Sequence, residues 1–281
     1  MPLVILQDIL PSARAAHVAV PAFNIANHES LRAVVDGAIE ENLPVIVQVY
    51  QRLLQGDKAA QLAVLARSMA AQAPVPIVLH ADHVESIELI KKALDAGFTS
   101  VMMDGSKHPF EENLKLTLQA RALAKRYGAS LEAEIGHVQF GAVSVDASCL
   151  TRPDEAARFF QASGVDALAV SIGTTHGFYR EPPKLDFVRL EAIASAVPVP
   201  LVLHGGSGTP DAELMRAIGG GIAKINIATE LHQLFADQTR GRLAKNEDRF
   251  QPIDLLMEPV YQAMKKYARV RLRTFCRTLK D

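Results

Sequence analysis

The sequence predicts a (β/α)8 barrel, and two observations support that prediction. Short runs rich in apolar and β-branched residues alternate about eight times with longer segments of helical period. The chain has 281 residues, a length that suits one barrel of this kind with extra helices at both ends. Because no stretch enriched in Pro, Gly or Ser interrupts it, we expect residues 1–281 to form a single domain.

Eight segments are predicted to be the strands of this barrel. Most of them carry consecutive apolar residues, as expected for parallel strands that are covered by helices on one face and by packed side chains on the other. The predicted strands span residues 18–23, 45–49, 77–81, 100–103, 130–134, 167–172, 201–204 and 223–227.

Amphipathic stretches between the strands predict helices, for example over residues 86–96, 111–127 and 154–163. A glycine stands a few positions before several of the strands, where it suits the end of the preceding helix. These glycines are Gly97, Gly128, Gly164 and Gly221.

The composition excludes several classes of partner. The formal net charge is −1 and basic and acidic residues are interspersed, so no extended field attracts nucleic acid or an anionic membrane. The first residues lack a basic leader, and no apolar run approaches the roughly 18 to 20 residues that span a bilayer. Cys149 and Cys276 are too few for a disulfide framework. We therefore expect a cytoplasmic protein that binds neither nucleic acid nor a membrane.

Three histidines lie at the ends of three different predicted strands. His83 follows the third strand, His176 follows the sixth and His204 ends the seventh. Because the carboxyl ends of the strands meet at the catalytic mouth of a (β/α)8 barrel, we expect the three imidazoles to converge there. Three nitrogen ligands with one open position are typical of catalytic Zn²⁺. Asp82 stands beside the first histidine, and a carboxylate next to an open metal site favours proton transfer.

Seven motifs, in order along nearly all of residues 18–232, carry a resemblance to a known family. The chain resembles the class II, zinc-dependent ketose-bisphosphate aldolases, and among these the tagatose- and fructose-bisphosphate aldolases. The motifs are 21–25 (PAFNI), 79–83 (LHADH), 97–106 (GFTSVMMDGS), 132–136 (EAEIG), 170–177 (VSIGTTHG), 203–208 (LHGGSG) and 224–230 (KINIATE).

The resemblance implies an activity, a cofactor and a set of site residues. The activity is cleavage or formation of a C–C bond in a phosphorylated ketose through a zinc-stabilised enediolate, which releases dihydroxyacetone phosphate and an aldehyde. The three histidines would hold one Zn²⁺ per chain, and Asp82 would exchange a proton with the aldehyde-derived oxygen. The residues expected to bind the substrate are Asn24, Gly177, Gly205, Ser207, Asn226 and Thr229, of which Ser207, Asn226 and Thr229 would bind its phosphate.

Physical chemistry agrees with a phosphate site in the last two loops. The Gly-rich turn 204–208 and the loop 226–229 follow the seventh and eighth strands, where barrels commonly bind a phosphate. Asp104 and Glu134 have two interpretations that stay open. By resemblance they form a second cation position near the zinc; alternatively, they accept hydrogen bonds and orient the histidines.

The chain departs from the family in three places. The loop after the fifth strand, 136–146 (GHVQFGAVSVD), lacks the glutamate that serves relatives as general base, so the candidates become Asp146, His137 or a residue from elsewhere in the chain. After the second strand, Tyr50 replaces a small hydroxyl residue. Arg52 follows it, either as a partner for a phosphate or carboxylate or as a solvated residue of the next helix. A basic segment, 271–280, replaces a Gly-Ser segment and suggests packing or an oligomer contact.

These departures leave two alternatives to an aldolase. One is a metal-dependent sugar-phosphate isomerase or epimerase that uses the same enediolate chemistry without breaking a C–C bond. The other is a catalytically weakened homologue that acts as a binding or assembly subunit. In either case the expected partners are a small sugar phosphate and further copies of the chain, in a dimer or a tetramer.

Overall fold

Eight parallel strands close into a barrel in which each strand pairs with the next one along the chain and the last pairs with the first. The structure, a computed structural model, describes residues 3–139, 141, 146–177, 179, 181–245 and 250–276. The predicted (β/α)8 fold is confirmed. The strands are β1 (Val20–Asn24), β2 (Val45–Tyr50), β3 (Ile77–Val84), β4 (Ser100–Met103), β5 (Ser130–Ile135), β6 (Ala167–Val170), β7 (Leu201–Leu203) and β8 (Ile222–Ile227).

Helices alternate with the strands and bury their apolar faces against the outside of the barrel. Short 3₁₀ turns occupy Leu6–Asp8 and Ala147–Cys149. The helices are α1 (Leu10–Ala15), α2 (His28–Glu41), α3 (Gln51–Leu54), α4 (Lys58–Gln72), α5 (Ile87–Asp95), α6 (Phe110–Tyr127), α7 (Pro153–Ser163), α8 (Phe187–Ala196), α9 (Asp211–Gly219), α10 (Thr229–Lys245) and α11 (Ile253–Phe275).

Inward-facing side chains change from apolar to polar along the barrel axis. Because side chains alternate between the two faces of a strand, every second residue points inward. At the lower end these residues are small or aliphatic, and near the upper end they are polar or aromatic. The sequences read Ile46, Gln48 and Tyr50 on β2, Val78, His80 and Asp82 on β3, and Val202 and His204 on and just after β7.

The N-terminal segment covers the lower end of the barrel. Leu6 and Leu10 are fully buried against inward-facing residues such as Ile46 and Val78. The backbone N–H of Leu6 donates to Ser130 Oγ at 2.7 Å, which ties the segment to β5. Apolar packing therefore fills the end of the barrel that lies away from the strand carboxyl ends.

Several strand boundaries were wrong by one to three residues, each for a visible reason. β1 begins at Val20 rather than residue 18, because the N–H of Val18 bonds to Ala13 and that of Ala19 to Phe275. β3 continues to Val84, three residues beyond the predicted end, because the last part of the strand still pairs with its neighbours. β6 and β7 end earlier than predicted, at residues 170 and 203, where the chain turns into the loops that form the site.

The predicted glycine helix ends are confirmed. Gly128 and Gly164 follow α6 and α7 in the left-handed region, with φ of 66° and 59°. Their N–H groups bond back to carbonyls of the last helical turn. A residue with a Cβ is strained in this conformation, so glycine sets the point at which each helix stops and the chain turns toward the next strand.

The last helix, α11, packs against α2 and carries part of the basic C-terminal segment. Leu272 and Phe275 are fully buried, and Arg273 forms an ion pair with Glu41 on α2. The packing role predicted for this segment is therefore confirmed as far as residue 276, and residues 277–281 lie outside the described part of the chain. Within that described part, none of the helices has the length and hydropathy needed to cross a membrane.

Candidate metal centre and active site

An irregularity near the end of β3 brings two consecutive side chains to the same place. In a regular strand Asp82 and His83 would point to opposite faces. His83 instead has φ of 50°, and the pairing of β3 with β4 shifts register between Ala81 and Val84. Bulges of this kind re-aim side chains beside active sites. As a result, both Asp82 and His83 line the cavity at the mouth of the barrel.

The three predicted metal ligands converge at this mouth. The ring centroid of His83 lies 4.8 Å from that of His176 and 4.5 Å from that of His204. The rings of His176 and His204 are 5.9 Å apart. One nitrogen from each histidine lies within 4.8 Å of the other two. Three strands that are distant in sequence thus place three nitrogens around one shared space.

Hydrogen bonds determine which nitrogens face that space. His83 Nδ1 lies 2.7 Å from Asp104 Oδ2, and His204 Nε2 lies 2.9 Å from Glu132 Oε1. A carboxylate only accepts hydrogen bonds, so the histidine nitrogen donates in each pair. His83 Nε2 and His204 Nδ1 are buried and face the shared space; neither makes a hydrogen bond of good geometry with a described residue, although His204 Nδ1 lies 3.1 Å from Glu134 Oε2. Two buried ring nitrogens that face one space, each on a ring oriented by a carboxylate at its opposite nitrogen, fit the requirements of a Zn²⁺ site.

The electrostatics of the cluster favour a bound cation. Although burial opposes it, the carboxylates of Asp82 and Asp104 raise the pKa of His83 to about 10. Burial lowers the pKa of His176 to about 3, which keeps that ring neutral and able to offer a lone pair. The surrounding carboxylates therefore stabilise a positive charge in this space.

A buried ion pair supports the centre from below. Lys224 Nζ lies 3.0 Å from Glu132 Oε2, and Glu132 in turn accepts the hydrogen bond of His204. Both Lys224 and Glu132 are fully buried. Sequence reasoning missed the role of Lys224, although a lysine within the strand Ile222–Ile227, whose other residues apart from Asn226 are apolar, was a usable signal, because buried lysines need a partner.

Asp82 is held in a fixed orientation by two amides. Asn24 Nδ2 donates to Asp82 Oδ2 at 2.8 Å, and Asn226 Nδ2 donates to Asp82 Oδ1 at 3.1 Å. Gln48, which sequence reasoning also missed, donates to Asn24 Oδ1 at 2.7 Å. Although burial opposes it, the neighbouring His83 holds the pKa of Asp82 below its usual range. The carboxylate is therefore ionised and points into the cavity beside the histidine cluster.

Most of the residues predicted to bind the substrate lie together at the ends of β6, β7 and β8, and among them are the three predicted to bind its phosphate, Ser207, Asn226 and Thr229. Gly177, Gly205, Ser207 and Thr229 all line the cavity there. Ser207 Oγ accepts a hydrogen bond from the backbone N–H of Ala228 at 3.1 Å, immediately before α10. This arrangement brings a hydroxyl group and the amino end of a helix to one place, where an anion is stabilised.

Tyr179 braces these phosphate-side loops and was not predicted. The N–H of Thr175 donates to the Tyr179 hydroxyl at 2.9 Å, and that hydroxyl lies 2.9 Å from the carbonyl oxygen of Gly205. Gly205 has φ of 70°, and a Cβ at this position would collide with the carbonyl oxygen of Thr175. Glycine is required here because the loops after β6 and β7 approach each other so closely.

Asp104 and Glu134 lie close enough to His83 to form a second cluster of three ligand atoms. Asp104 already hydrogen-bonds to His83, and its other oxygen accepts from Ser106. Glu134 Oε1 accepts from the N–H of Val138 at 2.9 Å, whereas Oε2 lies 3.1 Å from His204 Nδ1. Both interpretations of this pair, a second cation site or support for the histidines, stay predictions.

The two candidate bases occupy different environments. His137 lines the cavity, and its Nδ1 lies 2.9 Å from Ser106 Oγ. Asp146 is exposed, does not line the cavity, and accepts hydrogen bonds from the N–H and hydroxyl of Ser148. Residues 140 and 142–145 of this loop lie outside the described part of the chain. The structure therefore brings His137, and not Asp146, to the predicted site.

The residues that follow β2 also reach the cavity. Tyr50 and Arg52 line it, and the Arg52 guanidinium carbon lies 4.4 Å from the centroid of the Tyr50 ring. Arg52 is an exposed residue of α3 that also lines the mouth, and its role as a partner for a phosphate or carboxylate stays a prediction.

Comparison with protein families and known proteins shows which family the chain belongs to. The family described as "Fructose-bisphosphate aldolase class-II" matches residues 4–279. The chain belongs to this family. It is a class II aldolase, a lyase that performs metal-dependent aldol cleavage. The resemblance seen in the sequence is confirmed, and neither the isomerase nor the non-catalytic alternative is needed.

The names of similar proteins refer to different sugar substrates. The chain is 39% identical over 268 residues to the D-tagatose-1,6-bisphosphate aldolase subunit GatY of Klebsiella oxytoca, covering 94% of each chain. It is 38% identical over 283 residues to the 6-phospho-5-dehydro-2-deoxy-D-gluconate aldolase of Bacillus velezensis, covering 98% of this chain and 96% of that protein. The crystal structure of the YdjI aldolase from Escherichia coli K12 superposes with a TM-score of 0.86 at 36% identity, with 99% of each chain covered.

Proposed function

We propose that this class II aldolase uses Zn²⁺, held by His83, His176 and His204, to cleave or form a C–C bond between dihydroxyacetone phosphate and an aldehyde. The observation that supports this most directly is the convergence of one nitrogen from each of the three histidines, all within 4.8 Å of one another, with His83 and His204 each oriented by a carboxylate on the opposite ring nitrogen. When bound, Zn²⁺ acts as a Lewis acid that stabilises the negative charge developing on the ketone oxygens.

Asp82 is proposed to exchange a proton with the oxygen derived from the aldehyde. Its two oxygens accept hydrogen bonds from Asn24 and Asn226, so the carboxylate cannot rotate away from the cavity without losing both. Burial and fixed orientation let a carboxylate reach one substrate oxygen and exclude water from the exchange.

The phosphate of the ketone half is proposed to bind between the loops that follow β7 and β8. Gly205, Ser207 and Thr229 line this side of the cavity, and the amino end of α10 begins at Thr229. Backbone N–H groups at a helix amino end carry partial positive charge and suit a phosphate. Gly177 lies on the adjoining loop, and Asn226 would meet the phosphate from β8.

Of the two candidate bases, we assign the removal of the ketone-carbon proton to His137. This residue lines the cavity, whereas Asp146 is exposed and serves as a cap for the turn Ala147–Cys149. Histidine is the side chain that most often acts as a general acid or base in enzymes.

Metal content tests the ligand assignment. His204→Ala and His176→Ala should each sharply reduce bound zinc, because two nitrogens and water hold the ion poorly. His17→Ala, on an exposed turn, is the matched control and should retain about one zinc per chain. Full zinc content in the two ligand variants, measured by elemental analysis of purified protein, would refute the site.

Two half-reactions separate the proposed roles. Exchange of the C3 proton of dihydroxyacetone phosphate with deuterium needs the metal and the base but no aldehyde. His137→Ala should reduce this exchange by about 10²-fold or more, the scale of a general base, and Asp146→Ala should not. Asp82→Asn should retain zinc and ketone-phosphate binding while reducing ketose cleavage by about 10²-fold or more. Equal loss of zinc in Asp82→Asn would instead make Asp82 a support for His83.

The assembly and location expected from the sequence also remain proposals. Phe250 and Ile253 expose 81% and 78% of their surface near the start of α11, which supports a contact with another copy of the chain. Light scattering would test whether the protein is a dimer or a tetramer. Cys149 and Cys276 are both free, which is consistent with the reducing cytoplasm.

A further inference from the structure

The cavity has a second polar side that the ketone half does not use. The volume of the whole cavity is about 300 Å³. The phosphate-side residues come from the loops after β6, β7 and β8, whereas the side across the barrel carries residues from the ends of β2, β3 and β4. This second side is lined by Tyr50, Arg52, Glu85 and Lys107.

Tyr50 links this side to the reacting atoms. It pairs with Asp82 in the register between β2 and β3, so the two side chains are neighbours at the rim of the barrel. Burial, followed by the negative charge of Asp82, raises the pKa of the Tyr50 hydroxyl, which keeps it protonated. Tyr50 therefore lies beside the carboxylate that is proposed to contact the aldehyde-derived oxygen, on the side of the cavity into which the other carbons of the aldehyde half can extend.

Arg52 lies beyond Tyr50 with its charge uncompensated. Its guanidinium is stacked at 4.4 Å from the ring centroid, which restricts the plane of the group. Among the described residues, no carboxylate approaches within the 4.0 Å of an ion pair with Arg52. The helix that carries it is fixed by Gln51, whose Oε1 accepts a hydrogen bond from the N–H of Glu85 at 2.7 Å. The N–H donors of Arg52 are therefore positioned and available.

The other cation on this side is already neutralised. Lys107 Nζ lies 2.6 Å from Glu85 Oε1. The net charge contributed by Arg52, Lys107 and Glu85 is therefore +1. A phosphate group carries nearly two negative charges at neutral pH, whereas a carboxylate carries one, and the planar guanidinium fork can bind either group with two hydrogen bonds. The net charge of +1 therefore favours a carboxylate.

We propose that Tyr50 and Arg52 form the subsite for the aldehyde half, and that this half carries a carboxylate at the end distant from its carbonyl. The inference rests on the proposed function, because it takes dihydroxyacetone phosphate as the other half. It assigns Arg52 as the specificity-determining residue and Tyr50 as the residue that positions its guanidinium.

Aldol addition of dihydroxyacetone phosphate to three aldehydes tests the subsite. Succinic semialdehyde carries the carboxylate, butanal is its uncharged counterpart, and glyceraldehyde 3-phosphate carries a phosphate. Hydrogen bonds to charged groups predict that the wild type prefers succinic semialdehyde over butanal by about 10- to 100-fold in kcat/KM. The preference should appear mainly in KM, since the carboxylate is distant from the reacting bond, and it should decrease at high salt because Arg52 is exposed.

Four variants assign the preference to named groups. Arg52→Gln should bring the ratio of kcat/KM for succinic semialdehyde and butanal close to one. A double variant, Lys107→Gln with Glu85→Gln, removes the whole ion pair and leaves the net charge at +1, so it should retain the ratio within about 3-fold. Tyr50→Phe preserves the ring and should retain the ratio, whereas Tyr50→Ala removes the stacked ring and should reduce it.

The outcomes separate this proposal from the proposed function. Proton exchange on dihydroxyacetone phosphate requires no aldehyde, so exchange in the wild type together with equal rates for the charged and uncharged aldehydes would overturn the subsite alone. An unchanged ratio in Arg52→Gln, or a preference for glyceraldehyde 3-phosphate over succinic semialdehyde, would do the same. Absence of exchange in the zinc-loaded wild type would overturn the proposed function, and this subsite with it.

Discussion

Removing the buried charge of Lys224 should strongly destabilise the barrel. Lys224 is fully buried, 3.0 Å from Glu132 Oε2 and 2.7 Å from Asn226 Oδ1. Lys224→Met keeps the length of the side chain but leaves Glu132 as an uncompensated charge in the interior. Breaking a buried ion pair in this way costs about 3–5 kcal/mol of the free energy of unfolding. The loss corresponds to a decrease in the urea midpoint on the order of 1 M.

A second variant tests whether the uncompensated charge is the cause. Glu132→Gln combined with Lys224→Met removes both charges, and the amide oxygen introduced by the first substitution can still accept the hydrogen bond from His204. Replacing a whole buried pair is often close to neutral, so the double variant should recover most of the loss. Urea unfolding followed by circular dichroism, on chelator-treated protein, excludes any contribution from the metal. Lys266→Met, on the exposed face of α11, is the matched control and should change stability by less than about 0.5 kcal/mol. The reasoning is refuted if Lys224→Met unfolds within about 1 kcal/mol of the wild type, or if the double variant is no more stable than the single one.

Three further predictions concern regions away from the metal centre. Arg14 donates three hydrogen bonds to backbone carbonyls at the end of α8 and just beyond it, so Arg14→Ala should lower the free energy of unfolding by about 2–4 kcal/mol in denaturant titrations. Hydrogen bonds from two arginines hold the pKa of Glu41 below its usual range. The ionised Glu41 carboxylate therefore stabilises the fold fully above the unfolded-state pKa of about 4.3, and this stabilisation is lost as the pH falls through the folded-state pKa. The difference in stability between wild type and Glu41→Gln, about 1 kcal/mol at pH 7, should therefore shrink on acidification, and a constant difference down to about pH 3 would contradict it. Burial raises the pKa of Cys276 to about 12, so in a Cys149→Ser background iodoacetamide at about pH 8 should modify this thiol about 10³-fold more slowly than a free thiol, as measured by mass spectrometry.

The sequence predicted the fold and the location of the site because both depend on local patterns. Alternating apolar runs and helical segments determine a barrel, and residues after the strands must then meet at its mouth. His176 and His204 could be assigned in this way, since each follows or ends its strand. His83 required more than the pattern, because Asp82 and His83 are consecutive and face the same cavity only through the irregularity between Ala81 and Val84. Pairing register depends on the neighbouring strand, which periodicity within one strand does not report.

Contacts between side chains on different strands of the barrel could not be predicted from the sequence pattern either. Glu132 and Lys224 are 92 residues apart, and their contact follows from barrel closure rather than from any local spacing. The same holds for the two amides that orient Asp82. For Tyr50 the sequence indicated the presence of a bulky ring, but it did not indicate that the ring stacks with the guanidinium of Arg52.

The change from apolar to polar side chains along the barrel axis has an electrostatic consequence. Ile46, Val78 and Val202 lie on the side of the charged layer away from the mouth, where the N-terminal segment fills the barrel with further apolar groups. Such material has a low dielectric constant and screens charge weakly, whereas solvent reaches the charged layer from the mouth. Walls of this kind focus the field of a buried cluster toward its opening. The lower half of the barrel thus acts as an insulating base, so the field of the buried charged cluster is directed toward the mouth, where it acts on a substrate that approaches the rim.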